Sequence, residues 1–318
     1  MAHRVDNQLG LAEALVHPGI GQNQQLERIA QAVDWAGIER ILARLRSGER
    51  GAPPYPGLLM FKALLLQQWY QLSDPGLEQA LWDRLSFRRF LGLRLEDPTP
   101  DHSTLWRFRE ALKDSGVDQA LFDELQRQLD SRGLLIKHGS LIDATLVQAQ
   151  ASAPPPGRAQ ASSDPDAAWA RKGPQARFGY KAHVAVDERS QLIRRALLTA
   201  ANVNETQAAE QLICGDEAGV YADAAYDTHA RRGRLRERGV FDGIMHRPNK
   251  HHPRLGARQR AHNRAVGRIR SRVETVFGIW KRHYGYVRVR YFGLARNFTQ
   301  LRLLAMATNL KRMLVLCP

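Results

Sequence analysis

The chain of 318 residues is long enough for one large domain or two ordinary ones with a sizeable hydrophobic core. Its formal net charge is +15, and residues 231–290 alone hold 18 lysines and arginines against three acids, which accounts for the whole excess. Positive charge concentrated in this way favours a polyanion partner, and nucleic acid is the usual one.

Cysteine usage and hydropathy exclude further classes of protein. Only Cys214 and Cys317 are present, far apart and without the spacing of metal ligands, which argues against a disulfide framework and a zinc site. The N-terminus has no apolar signal core, and the longest apolar tracts are too short or too charged to span a bilayer. We therefore expect a cytoplasmic protein without a membrane partner.

Residues 1–135 are predicted to form an all-helical N-terminal domain. Its last helices include one that Asp101 or Ser103 can cap and that exposes Arg107 while Leu105 points inward. Short helices in series that end in an arginine-bearing one are compatible with a helix-turn-helix DNA reader. They are equally compatible with a plain helical bundle, and the pattern leaves both readings open.

Residues 136–318 are predicted to form a second, α/β domain. The predicted strands are 141–145, 180–187, 192–199, 219–223 and 243–246, with helices at 204–213 and 231–238 and a basic helix after them. This order is typical of an RNase H-like mixed sheet with flanking helices, in which the first and fourth strands lie side by side. Residues near 149–175 are rich in Pro, Ala and Ser and are predicted to be a mobile loop.

Residues 263–282 are predicted to form one continuous basic helix with three stripes of side chains. One stripe carries a single acid among polar and basic residues: Asn263, Gly267, Arg270, Glu274 and Lys281. A second stripe is apolar and suited to packing on a core: Val266, Ile269, Val273, Val276 and Trp280. The third is basic: Arg264, Arg268 and Arg272. Glu274 fits a metal ligand beside phosphate contacts, and it fits an ordinary ion pair with Arg270 equally well.

Two further acids belong to predicted strands that should be neighbours, Asp143 within the first and Asp223 at the end of the fourth. Asp143 lies in an apolar strand, where an unpaired charge is costly to bury, and Asp223 lies among alanines that leave room beside it. Together with Glu274 they would offer the hard oxygen ligands that Mg²⁺ or Mn²⁺ prefers. Two such ions can activate water or a 3′-hydroxyl at a phosphodiester. An aspartate at a strand end is more often a turn or cap residue, so each acid alone is weak support.

The chain carries a series of short motifs in a fixed order. They are Pro-Asp-His-Ser-Thr-Leu-Trp-Arg-Phe-Arg at 100–109, Leu-Ile-Asp-Ala-Thr at 141–145, Phe-Gly-Tyr-Lys-Ala-His at 178–183, Thr-Ala-Ala-Asn-Val at 199–203, Ala-Asp-Ala-Ala-Tyr-Asp at 222–227 and Arg-x3-Glu-x6-Lys at 270–281. In this order they resemble the DDE transposases of bacterial insertion sequences, most closely the insertion sequence 5 family. One position departs from the related signature, since Gly267 stands where a tyrosine is expected.

The resemblance implies roles for individual residues. Asp143, Asp223 and Glu274 would be the catalytic, metal-binding triad. The predicted DNA contacts are Arg270 and Lys281 at phosphates near the cut, Asn263 on the same face, and Arg264, Arg268, Arg272 and Arg107 elsewhere. Asp227 is the runner-up to Asp223, although a helix cap is its expected role.

The resulting hypothesis is a transposase that uses Mg²⁺, with Mn²⁺ as a substitute. It would bind the terminal inverted repeats of its element, cleave the ends and join the 3′-hydroxyls to target DNA by two-metal phosphoryl transfer, as a homodimer on DNA. One alternative is a non-catalytic DNA-binding regulator or decayed transposase, in which the three acids are dispensable. Another is a stand-alone nuclease, which would cleave without end preference and would not join strands.

Overall fold

The computed structural model describes residues 19–45, 54–155, 162–172, 175–248 and 253–317. The chain forms two compact units. One comprises residues up to Ser131 together with those from Arg302 onwards, and the other comprises Arg132–Leu301. In the described ranges, no helix has both the length and the apolar character needed to cross a membrane.

The first unit is helical, as the sequence predicts. Its helices are α1 (Gln24–Ala32), α2 (Trp35–Leu42), α3 (Gly57–Trp69), α4 (Asp74–Asp83), α5 (Leu85–Leu91), α6 (His102–Ser115) and α7 (Val117–Ser131). Helix α3 is apolar on almost every side, and its residues from Leu59 to Trp69 are buried except Lys62. Such a helix needs neighbours around its whole circumference, so it forms the centre of this unit.

Helix α6 has the orientation that its sequence predicts. The Asp101 side chain caps it by accepting a hydrogen bond of 2.6 Å from the Thr104 N–H. Leu105 and Leu112 are fully buried, whereas Arg107 is exposed. Arg109 is buried against α4, where it forms an ion pair with Asp74 at 2.5 Å. A buried guanidinium needs such a partner, and the pair fixes α6 so that Arg107 points outward.

The second unit is built on a mixed sheet. Its strands are β1 (Ser140–Gln148), β2 (Ala168–Lys172), β3 (Gln175–Asp187), β4 (Ile193–Ala200), β5 (Gly219–Ala222) and β6 (Phe241–Ile244). β3 lies between β4 and β1 and is antiparallel to both, while β1, β5 and β6 run parallel to one another. The predicted RNase H-like mixed sheet, with β1 beside β5, is confirmed.

Helices cover the sheet and contribute to its core. They are α8 (Glu205–Leu212), α9 (His229–Glu237), α10 (Ala257–Arg270) and α11 (Val273–His283). A last helix, α12 (Leu294–Leu316), begins in this unit and belongs from Arg302 onwards to the first. On one face, Ile142 of β1 and Ala222 of β5 pack with Ala208 and Ala209 of α8. Small alanines allow α8 to approach the sheet closely beside the ends of β1 and β5.

The predicted loop at 149–175 is wrong where β2 lies. Residues 156–161 and 173–174 of this segment are outside the described residues, but Ala168–Lys172 pairs antiparallel with the start of β3. Trp169 lies opposite Phe178, and their rings are 5.7 Å apart. This cross-strand aromatic pair stabilises a strand that the Pro, Ala and Ser content of the flanking residues conceals.

The single basic helix predicted for residues 263–282 is also wrong, because it is divided into α10 and α11. Between them, Ser271 and Arg272 form a tight turn in which the Glu274 N–H donates to the Ser271 carbonyl at 3.2 Å. The apolar stripe is buried on both sides of the turn, at Val266 and at Val273. The turn lies between α10, which packs on β5 and β6, and α11, which packs on β1.

Candidate active site

Asp143 and Asp223 occupy corresponding positions on neighbouring parallel strands. Ile142 of β1 is paired with Ala222 of β5, and each aspartate is the next residue along its strand. Successive side chains alternate between the faces of a sheet, so both carboxylates leave on the same face. β5 ends at this point, and Asp223 begins a short 3₁₀ turn whose Ala225 N–H donates to it at 2.8 Å. The strand order therefore brings the first two predicted acids side by side on one face of the sheet.

Asp143 is largely buried and lies near both positive and negative charges. The pKa of this carboxyl is raised to about 6, chiefly by burial; Arg270 and the Ala144 N–H oppose the rise, and the negative charges of Asp223 and Glu205 add to it. Its oxygens accept hydrogen bonds from the Ala144 N–H at 2.9 Å and from Arg270 at 2.8 Å. Several acids around a largely buried carboxylate create an excess of negative charge that a divalent cation would neutralise.

Arg270, the last residue of α10, lies between two of the predicted triad members. Its Nη1 is 2.8 Å from Asp143 Oδ2, and its Nη2 is 3.8 Å from Glu274 Oε1. The intrahelical pair expected between Arg270 and Glu274 is thus present but long, and the stronger bond is to Asp143. The guanidinium serves as the counter-charge of the acids in this structure.

Glu274 lies on the first turn of α11 with its side chain 65% exposed. Asp143, Asp223 and Glu274 do not form a group whose ligand atoms all lie within 4.8 Å of one another anywhere in the described chain. Asp143 and Asp223 are neighbours because β1 and β5 are paired, and Asp143 and Glu274 both contact Arg270. The donor set itself, with carboxylate oxygens only, fits Mg²⁺ or Mn²⁺ and does not fit zinc.

Among the described residues, Cys214, Asp216 and Glu217 do bring one ligand atom each to within 4.8 Å of the others. Glu217 is buried against Arg194 at 3.2 Å, and Asp216 pairs with the same guanidinium. Burial raises the pKa of the Cys214 thiol to about 11. These side chains form an ion-pair network that fixes the loop before β5.

Two predicted DNA contacts make bonds within the protein. The Asn263 amide bonds the backbone of His246 at both ends, accepting from its N–H at 2.8 Å and donating to its carbonyl at 3.0 Å. Arg272 forms an ion pair of 2.6 Å with Glu188. Asn263 therefore holds the segment after β6 on α10, and Arg272 holds the turn between α10 and α11 near the end of β3.

The other predicted cations differ in their exposure. Arg264 and Arg268 are exposed on α10, one turn apart, and Lys281 is half-buried on α11. Arg107 is exposed on α6 and donates to the hydroxyls of Ser103 and Thr104 at 3.3 Å and 3.1 Å. Arg264 and Arg268 are thus the members of the third stripe that present their charge outward.

Two residues near the 3₁₀ turn of Asp223, Glu205 and Tyr226, were not identified from the sequence. Glu205 begins α8 and lies 3.3 Å from the Lys181 ammonium, and the Tyr226 hydroxyl is buried nearby. An acid such as Glu205 in the first turn of a helix is usually explained by its favourable interaction with the helix dipole. Tyr226 belongs to the motif at 222–227, in which Asp223 was the predicted site residue. Only the fold brings these positions, from β3, α8 and the 3₁₀ turn, to the same place.

Asp227 is the C-cap residue of the 3₁₀ turn and does not cap α9. Thr228 caps α9 by accepting from the Arg231 N–H at 3.2 Å. Asp227 instead pairs with Arg232 at 2.7 Å, and this guanidinium lowers the pKa of the carboxyl against the opposing effect of its burial. Arg232 also pairs with Asp242 at 2.6 Å, so Asp227 belongs to an ion-pair network between α9 and β6.

Comparison with known families bears on both parts of the chain. A family model described as "Transposase DDE domain" matches residues 136–310, and one described as "Transposase domain (DUF772)" matches residues 16–111. No solved structure matches the chain significantly. The first family model spans more than half of the 318 residues. This chain therefore belongs to the family of transposases with a DDE domain.

Proposed function

We propose that this transposase belongs to the insertion sequence 5 family and acts at the ends of its own element. It binds the terminal inverted repeats, cleaves DNA there and transfers the 3′-hydroxyls to target DNA, with two copies of the chain acting together on DNA. Residues 1–135 serve as the DNA-binding domain and residues 136–318 as the catalytic domain. The observation that carries this proposal is the placement of Asp143 and Asp223 side by side on β1 and β5, within the segment that matches the DDE domain.

Asp143, Asp223 and Glu274 would hold the divalent ions, Mg²⁺ or Mn²⁺. The fit rests on their oxygen donors and on the uncompensated negative charge around Asp143, of which Arg270 neutralises only part. When bound, two such ions activate the attacking water or 3′-hydroxyl and stabilise the leaving oxygen.

Arg270 would act as a phosphate ligand during the reaction. A guanidinium binds carboxylate and phosphate oxygens with the same fork of N–H groups. Arg270 can therefore exchange its bond to Asp143 for one to a phosphate near the cut. This exchange would leave both Asp143 and Glu274 with unpaired oxygens, facing the position that the guanidinium occupies in this structure.

Arg264 and Arg268 should each account for about one phosphate contact. We expect Arg264→Gln and Arg268→Gln each to weaken DNA binding and to reduce the slope of log Kd against log salt by about one. The measurement is a salt titration of binding to a labelled duplex. Arg195→Gln is the matched control because Arg195 is exposed on β4, separated from β5 by β3 and β1, and donates to the Gln211 carbonyl. Equal slopes for all four proteins would contradict a phosphate role for α10.

The proposed activity is tested with Glu274→Gln. We expect the wild-type protein to nick and join a labelled DNA that carries the element's end when Mg²⁺ is present and to do neither in EDTA. Glu274→Gln should lose at least about 100-fold of the cleavage rate, because a lost ligand removes roughly 3 kcal/mol of transition-state stabilisation. Glu237→Gln, at an exposed acid on the end of α9, should cleave at the wild-type rate.

Each contrary outcome of this experiment has a distinct meaning. Specific binding of the end without cleavage in either metal would favour the regulator or decayed transposase. Cleavage that ignores the end sequence and never joins strands would favour a nuclease. Full activity of Glu274→Gln would remove Glu274 from the triad.

A further inference from the structure

The first turn of helix α10 is exposed on every side. Residues 256–261, which include this turn, are exposed without exception, and within the described part of the helix Val266 is its one buried residue. The attachment of α10 to β6 starts only afterwards, where His262 Nε2 donates to the Ile244 carbonyl at 3.0 Å. Residues 253–261, the basic arm, therefore do not pack on the sheet.

The charges at this end of α10 oppose a helix. Arg258 lies in the first turn and Arg260 directly after it, where the positive end of the helix dipole disfavours cations. Arg260, Arg264 and Arg268 follow one another at intervals of four residues, a spacing at which like charges repel on a helix. Residues 243–273 contain no acid, so no ion pair within the helix offsets these costs.

Two local side-chain hydrogen bonds support the basic arm in its helical form. The Gly256 N–H donates to Gln259 Oε1 at 3.0 Å, and the Arg260 guanidinium donates to the Leu255 carbonyl. Neither bond buries apolar surface or neutralises an arginine. A helix that is polar on every side needs many ion pairs or a partner to be stable, and the arm has no acid for the former. An anionic partner would remove both electrostatic costs.

Duplex DNA fits this partner in charge and in length. Arg260 and Arg268 mark a row of exposed guanidiniums about 12 Å long on the helix. Arg270, the proposed phosphate ligand near the cut, lies at the far end of α10, and Arg258 and Arg260 lie about 15 to 18 Å before it along the axis. A duplex that runs along α10 covers this distance in about four to five base pairs.

We propose that the basic arm binds the phosphate backbone of duplex DNA about four to five base pairs from the cut, and that this contact stabilises the first turn of α10. The inference rests on the proposed function, in which Arg270 contacts a phosphate near the cut. Contacts to phosphates carry no sequence information. The arm therefore adds affinity for any duplex and helps to position the cut.

The first test is a salt titration of duplex binding by the full-length double variant Arg258→Gln/Arg260→Gln. The slope of log Kd against log salt should fall by about two, and affinity should fall by the same factor for a duplex that carries the element's end and for an unrelated one. Arg195→Gln, at an exposed arginine of β4, should bind as the wild type does. Two duplexes that end about three base pairs from the cut, one on each side, locate the contact. On one of them the double variant and the wild type should bind equally.

Arg258→Glu separates DNA binding from a structural role, and hydrogen-exchange mass spectrometry is the readout. A glutamate in the first turn agrees with the helix dipole, so the amides of residues 260–264 should exchange more slowly in the free variant than in the free wild type. The variant should nevertheless bind DNA more weakly than Arg258→Gln. In the wild type, DNA should slow exchange of these amides by at least about 10-fold. A structural role of Arg258 alone predicts faster exchange in Arg258→Glu and unchanged DNA affinity.

Failure of the inference and failure of the proposed function give different results. If the double variant keeps the wild-type slope and affinity while Arg264→Gln binds more weakly, the inference fails and the proposed function stands. If the wild type binds an end-carrying duplex no better than an unrelated one, end recognition fails, and the slopes still decide the role of the arm. A difference between the double variant and the wild type that persists on both shortened duplexes would overturn the proposed distance from the cut.

Discussion

Asp143→Asn should abolish DNA cleavage and at the same time make the protein more stable. The amide keeps the shape of the side chain but loses the charge that a divalent ion requires. We expect the cleavage rate to fall by at least about 1,000-fold, equivalent to roughly 4 kcal/mol of transition-state stabilisation. The measurement is single-turnover cleavage of a duplex that carries the element's end.

The gain in stability follows from the direction of the pKa shift. The carboxyl of Asp143 has a pKa of about 6 in the folded protein and about 3.9 in an unfolded chain. A group whose pKa is raised by folding stabilises the protein below the unfolded value and loses that contribution as the pH rises through the folded one. The loss should therefore fall between about pH 4 and pH 6 and amount to roughly 2 to 3 kcal/mol. An asparagine at this position stays neutral and avoids it.

This prediction is measured by guanidinium unfolding in EDTA at pH 8 and at pH 4. Asp143→Asn should exceed the wild type in free energy of unfolding at pH 8, and the two should converge at pH 4. Asp227→Asn is the matched control of opposite sign, because Arg232 pairs with Asp227 and lowers the pKa of its carboxyl. It should be less stable than the wild type and still cleave DNA. A destabilised Asp143→Asn would contradict the electrostatic account of this position.

Trp280→Ala should produce the largest loss of stability in the catalytic unit. Trp280 is fully buried on α11, with its ring edge-on to those of Tyr286 at 5.7 Å and Phe277 at 6.0 Å. Truncation of a buried tryptophan to alanine costs about 3 to 5 kcal/mol, because apolar contacts are lost and a cavity remains. The same change should reduce cleavage, since the buried face of α11 determines where Glu274 and Lys281 lie.

Chemical denaturation measures this effect as a shift of the unfolding midpoint. Trp82→Ala is the control, because Trp82 has the same side chain but is 62% exposed on α4. Its free energy of unfolding should change by no more than about 0.5 kcal/mol. Similar losses for both variants would mean that the packing of α11 is not what stabilises the unit.

The order of strands and helices could be predicted from the sequence because hydrophobic periodicity changes clearly at residue 140. β1 and β5 are apolar runs that each lead into an aspartate, and their parallel pairing follows once the RNase H-like order is recognised. The outward position of Arg107 followed from a cap and an apolar stripe. These features are local in sequence, so pattern is sufficient to identify them.

The division between α10 and α11 could not be predicted in this way. Residues 263–282 keep an apolar stripe throughout, and nothing in Ser271 and Arg272 forbids a helix. The turn separates a helix that packs on β5 and β6 from one that packs on β1. β2 was missed for a related reason, since its partner across the hairpin, and not its own composition, stabilises it.

The chemistry around the acids depends on contacts between distant residues. Arg270 and Asp143 are 127 positions apart, and their bond shows that the guanidinium neutralises an acid of the site. The ion pair of Lys181 with Glu205 likewise joins β3 to α8, and only the assembled fold reveals it. Asn263 was expected to face DNA, but its amide bonds the backbone of His246, which a helical wheel cannot reveal.

The central claim is that Asp143 and Asp223 act together as one catalytic site. The most direct measurement is single-turnover cleavage of end DNA with Mn²⁺ by Asp143→Asn, Asp223→Asn and the double variant. Residues that act as a unit are non-additive, so each single variant should lose at least about 1,000-fold and the double variant should be no slower than either. An active Asp223→Asn, or losses that multiply in the double variant, would show that the two carboxylates do not share one site.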